Sequence, residues 1–92
     1  MTNQTYSEKM RRVVGDNISH LRAQAGKTRE EFAAEVPTTR GVIYEFETQA
    51  KSPSLEMLDR IARAFSRLLN EPITAADLLT ERKTRKRELA QR

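Results

Sequence analysis

Residues 38–47 read TTRGVIYEFE, and this stretch decides the fold. Thr39 suits a helix N-cap, because its hydroxyl can accept from a backbone N–H that the first turn leaves unpaired. Ile43 and Phe46 then share one side of a helix running from about Arg40 to Glu47. The opposite side carries Arg40, Gly41, Tyr44 and Glu45. Gly41 is the anomaly, since glycine inside a helix costs about 1 kcal/mol relative to alanine. That cost implies a use for the missing side chain: a tight contact inside the protein, or a close approach to something outside it.

Helical signals continue on both sides. Thr5 and Glu8 form a capping-box signature, and Met10, Val14, Ile18, Leu21 and Ala25 fall on one face before Gly26, a C-terminal stop. Thr28 with Glu31 is a second capping box, opening TREEFAAEV with Phe32, Ala33 and Val36 turned inward. Pro37 ends that helix. After the loop TQAKSPS, Ser52-Pro53 predicts the start of a fourth helix whose core face is Leu55, Leu58, Ile61, Ala62 and Phe65. NEP breaks the chain again, and Thr74 caps a short last helix, AADLLTE. No strand alternation or internal repeat occurs. The expectation is all-α: a compact five-helix bundle over residues 1–80, with residues 81–92 a basic tail or extra helix outside the core.

The composition narrows the function classes. Of 92 residues, 37% are hydrophobic and 33% charged, so the core is modest and the helix faces well solvated. With no cysteine, disulfides and thiolate metal sites are excluded, and a reducing cytoplasm fits. No segment has the roughly 20 apolar residues of a membrane span, and the N-terminus lacks a signal core. Residues 1–80 balance 11 Lys/Arg against 11 Asp/Glu, so residues 81–92, with six Lys/Arg and two Glu, supply the whole excess of +4. Such a tail favours nucleic acid or an acidic partner, and Arg82, Lys83, Arg85, Lys86 and Arg87 are candidate phosphate contacts. His20 is the only histidine, and no nucleophile–base pair or glycine-rich phosphate loop appears. Glu30, Glu31 and Glu35 lie on one exposed helix face. Neither an enzyme nor a metal, cofactor or small-molecule site is expected.

The ordered combination of Arg22, TREEFA, TTRGVIYEFE and SPSL resembles the Xre/Cro-type helix-turn-helix family of lambdoid phage repressors. The resemblance implies a lambda repressor-like fold whose recognition helix, about 39–47, enters the DNA major groove. It implies base or near-base contacts by Arg40, Gly41, Tyr44 and Glu45. Arg40 could offer a forked hydrogen bond to guanine, a contact worth about 1–3 kcal/mol of discrimination. Glu45 could accept from a cytosine amino group or orient Arg40, and Tyr44 could touch a thymine methyl or a phosphate. Arg29 and Thr39, at helix N-termini, and Lys51 and Ser52, in the following loop, are the expected phosphate contacts. The family pairs the positions of Arg22 and Glu47 as a salt bridge between the first and third helices. The chain departs from the family at Pro37 and Gln49, where glycine is usual, at Thr38, usually aliphatic, and at Arg29, commonly glutamine.

The resulting expectation is a repressor- or Cro-like transcriptional regulator, binding double-stranded DNA as a dimer on a palindromic operator. Leu68, Leu69, Ile73, Leu78 and Leu79 are candidates for the dimer surface or, equally, for the core. The alternative is a protein-interaction module of the same fold, such as an antitoxin or adaptor, which the neutral charge of residues 1–80 favours. The setting expected is the bacterial cytoplasm and nucleoid, for a gene of phage or chromosomal origin.

Overall fold

In the computed structural model, which describes residues 6–82, five helices follow one another without a strand among the described residues. They are α1 (Glu8–Gln24), α2 (Arg29–Glu35), α3 (Arg40–Glu47), α4 (Leu55–Leu69) and α5 (Ala75–Leu78). Each begins at a side-chain cap. Thr28 and Glu31 form a reciprocal capping box on α2, and the Thr28 N–H holds the Glu31 carboxyl below its ordinary pKa. Thr39 caps α3 through Val42 N–H, and Thr74 with Asp77 boxes α5.

Two starts differ from expectation. Helix α1 is capped by Ser7, whose hydroxyl accepts from Met10 N–H, and Thr5 lies outside the described residues. Helix α4 is capped by Ser54, not begun at Ser52-Pro53. Pro53 is instead buried one residue ahead of that cap, and its carbonyl accepts from the Tyr6 hydroxyl at 2.7 Å.

The core gathers Val14, Ile18, Phe32, Ile43, Phe46, Leu58, Ile61, Phe65 and Leu78. Phe32 and Phe65 stack with ring centroids 4.3 Å apart, joining α2 to α4. Leu55, expected in this core, is 75% exposed: it stands in the first turn of α4, one turn before Leu58 enters the core. Leu78, a candidate for the dimer surface, is fully buried and excluded from that role. Leu68, Leu69, Ile73 and Leu79 are half-buried and packed against the core.

Helix α1 is gripped on two sides, by α3 and by α5, which widens its buried stripe to include Val13, Gly15 and Asn17. Asn17 is the one polar residue buried as a whole among the described residues, and its amide donates to Leu78 O at 2.8 Å and Thr80 O at 2.9 Å. It thereby satisfies carbonyls that the end of a helix leaves open. Gly15 serves the other side. A Cβ added there would lie 2.8 Å from Phe46 O and 3.1 Å from Glu47 O, so only glycine lets α1 touch the last turn of α3.

Gln49, following α3, has φ 70, the left-handed conformation that glycine adopts without strain. The chain folds there with glutamine, and the backbone N–H groups of Ala50 and Lys51 both bond to Glu45 O.

Gly15→Ala should destabilise the protein by about 1–3 kcal/mol, because the clash is with backbone oxygens that cannot rotate away. Denaturant unfolding checks this; a loss below about 0.5 kcal/mol would show that the α1–α3 contact yields easily.

Candidate nucleic-acid interface

Helices α2 and α3 are joined by a tight turn at 36–39, where Val36–Pro37 is a cis peptide and Thr38 N–H bonds to Ala33 O at 2.7 Å. The turn is also held from α4: Arg60 donates to Pro37 O at 2.6 Å and Arg67 to Glu35 O at 2.8 Å. With Ile43 and Phe46 buried, α3 turns Arg40, Gly41 and Tyr44 outward. Among the described residues, the Arg40 guanidinium makes no ion pair and no hydrogen bond, leaving its whole fork open. Among the described residues nothing lies within 4 Å of a Cβ built on Gly41, so no contact among them requires glycine there.

The base of the unit is a shared carboxylate. Arg22 Nε donates to Glu47 Oε2 at 2.6 Å and Arg22 Nη2 to Glu47 Oε1 at 3.1 Å, while Arg29 Nε donates to Oε1 at 2.9 Å. The Glu47 side chain is only 3% exposed, against 16% for Arg22 and 34% for Arg29. The acid is therefore the most buried of the three, Arg22 is mostly buried, and Arg29 is partly solvated. Arg22, Arg29 and Arg40, with Thr28 and Glu30, line an open groove of about 370 Å³ between the starts of α2 and α3. Arg22 also donates to Lys27 O at 2.8 Å, which ties down the α1–α2 link.

The other expected contact residues are placed less uniformly. Glu45 is paired with Lys51 at 3.6 Å, and the structure does not bring it to Arg40. The Thr39 hydroxyl is engaged in capping, although it remains at the exposed start of α3. Lys51 is largely exposed and Ser52 half-buried in the loop that follows. Arg82 lies in a cleft with Asn17, Leu21, Pro72 and Ile73, and no residue of α3 lines that cleft. Lys83, Arg85, Lys86 and Arg87 fall outside the described residues. The stacking of Arg29 on Tyr44, with Cζ 5.2 Å from the ring centroid, was not anticipated from sequence. Its signal was the departure at position 29, where arginine replaces a shorter neutral residue.

Comparison with known proteins agrees with this geometry. A family model described as helix-turn-helix matches residues 18–71, from the middle of α1 to just past α4. No curated protein matches the chain. Among solved structures, a hypothetical transcription factor from Neisseria superposes with a TM-score of 0.73 and 20% identity. The superposition covers 96% of this chain and 95% of that one, and at this identity it shows the shared fold.

Glu47→Ala would leave two neighbouring guanidiniums without their carboxylate. The expected loss is about 2–3 kcal/mol, reduced from the usual cost of breaking a buried pair because Arg29 is partly solvated. Thermal unfolding should show a fall of roughly 10 °C or more, and an unchanged midpoint would mean that the network carries no stability.

Proposed function

Because the chain belongs to the helix-turn-helix family, we propose that this DNA-binding transcription regulator is sequence-specific and acts as a repressor of the Cro type. Helix α3 reads the major groove, with Arg40 as the principal base reader and Tyr44 beside it. The observation that carries this reading is Arg40: an exposed guanidinium that no described residue engages, beside a glycine that no contact among the described residues requires. A forked donor left open on a helix face matches the paired acceptors of guanine in the major groove. Gly41 lets the start of α3 come closer to the bases or the sugar–phosphate wall. Lys51, Ser52 and Thr39 are assigned to flanking phosphates, and Arg82, Lys83, Arg85, Lys86 and Arg87 to a further stretch of backbone, each neutralised phosphate adding about 0.9 to the salt dependence.

Selection from a random duplex pool at near-physiological salt tests the proposal. Enrichment of a two-fold symmetric site with a guanine in each half is expected, and Arg40→Ala should erase the preference at that guanine. Gly41→Ala should raise folding stability by about 0.5–1 kcal/mol while weakening DNA binding. Uniform retention of all sequences would reduce the protein to a backbone binder. No retention would favour the protein-interaction reading, to which the even charge of residues 1–80 lends support.

A single unit makes few base contacts, so we assign dimerisation to the operator-bound state. The five residues 68, 69, 73, 78 and 79 offer little free surface for it. Leu55 does: it stands 75% exposed beside Tyr6, Met10, Pro53 and Leu79, close in sequence to the end of α3. A two-fold contact there would set the distance between two reading helices. Leu55→Glu should leave the unfolding midpoint almost unchanged, because the residue is exposed, and should abolish cooperative binding to the symmetric site. Analytical ultracentrifugation on operator DNA checks this, and a variant that still dimerises would exclude the surface.

A further inference from the structure

Tyr44 and Leu55 are the two large hydrophobic side chains that stand exposed among the described residues. Tyr44 is 49% exposed, and its hydroxyl has no hydrogen-bond partner among the described residues. A free aromatic side chain on a helix has two open χ1 wells, so it would sweep over several positions. Arg29 restrains it. The guanidinium lies 5.2 Å from the ring centroid, within the range of a cation–π contact, and its Nε is anchored on Glu47 at 2.9 Å. Glu47 is in turn fixed by Arg22, which is fixed to Lys27 O. A polar chain thus runs from the α1–α2 link, through a buried carboxylate, to an aromatic ring on the exposed face of α3.

We propose that Arg29 is a specificity-determining positioning residue, holding the Tyr44 ring in one orientation so that it meets a single base edge of double-stranded DNA. This rests on the DNA-reading function proposed above. It replaces the expectation that Arg29 is primarily a phosphate clamp. Arg29, Arg22 and Glu47 together carry one net positive charge, and the Nε of Arg29 is already engaged by the carboxylate. The commitment of Arg29 to both Glu47 and the Tyr44 face makes orientation its principal effect. The ligand class is a thymine methyl or another apolar base edge, because a ring covered by arginine on one side presents carbon on the other.

Two measurements test the proposal separately from the function it rests on. In the free protein, three-bond couplings by NMR should give one Tyr44 χ1 rotamer in the wild type and averaged values in Arg29→Ala. Unfolding of that variant confirms that it is folded, since Arg22 still holds Glu47. On DNA, the wild type, Arg29→Ala, Tyr44→Ala and the double variant are titrated against the selected duplex and its single-base substitutions. Arg29→Ala should lower discrimination at the Tyr44-dependent bases about two- to five-fold, and should lower it no further in the Tyr44→Ala background. The salt slope should not change. An unchanged Tyr44 rotamer in Arg29→Ala overturns the proposal. So does uniform weakening on all duplexes, additive with Tyr44→Ala and with a slope reduced by about 0.9, the signature of a phosphate clamp. A wild type without base preference overturns the DNA-reading function and the specificity role with it, and the NMR result then decides the positioning alone.

Discussion

One buried carboxylate organises the helix-turn-helix unit. Glu47 ends α3 and is shared by an arginine of α1 and an arginine of α2, so three helices meet at two oxygen atoms. The pairing depends on how near α1 and α3 approach, and Gly15 sets that distance by letting the backbone oxygens of Phe46 and Glu47 touch the helix. Gly15 and Arg22 are seven residues apart, about two helical turns, and therefore lie on the same face of α1. A close backbone contact and an ion pair on one stripe hold α3 at two points. Hydrophobic packing through Ile43 and Phe46 supplies the larger free energy, but it is non-directional and cannot by itself fix how α3 is rotated about its axis.

The helix order was legible because each start carries a local chemical signal. Thr28–Glu31, Thr39 and Thr74 form the caps that their spacing predicts, and α3 runs over the predicted residues. Local signals fail where two of them compete. Thr5 and Ser7 both stand before α1, and Ser52 and Ser54 both stand before α4; in each case the serine nearer the helix is the cap. Periodicity fails at element ends, where a residue can satisfy the helical spacing yet lie past the edge of its neighbours. Leu55 is such a residue. Val13 and Asn17 are the opposite case: α1 has partners on two sides, and a single apolar stripe understates what two partners bury.

The outward face of α3 was legible from the inward one, since burying Ile43 and Phe46 leaves little choice about Arg40, Gly41 and Tyr44. Partnerships between charged side chains were less so. One carboxylate among several arginines can pair with any within reach, and sequence does not say that Glu47 takes two while Glu45 goes to Lys51. The arrangement has a consequence for binding. Pairing leaves one net positive charge at the base of the unit and leaves Arg40 as the open cation of α3, so on the proposed reading the field over the bases is concentrated near the start of the helix. On the proposed reading, a domain neutral over residues 1–80 discriminates at one contact without gripping every duplex strongly, and the general attraction is assigned to residues 81–92.

The two helical glycines illustrate how a missing side chain should be interpreted. At Gly15 the cause is inside the protein: a methyl group would strike Phe46 O at 2.8 Å. At Gly41 a methyl group would strike nothing among the described residues, yet glycine there weakens a helix of only eight residues, which has few internal bonds to offset the loss. Packing therefore accounts for the first and not for the second. Backbone conformation does not account for it either, because Gly41 lies within the regular turn of α3, and of the three glycines only Gly26 has a positive φ. On the DNA-reading proposal the requirement comes from outside, on the face that also carries Arg40 and Tyr44. An approaching surface that needs a bare backbone between a forked cation and an aromatic ring is close, polar and flat-edged, which describes base pairs in a groove better than the rounded side chains of another protein.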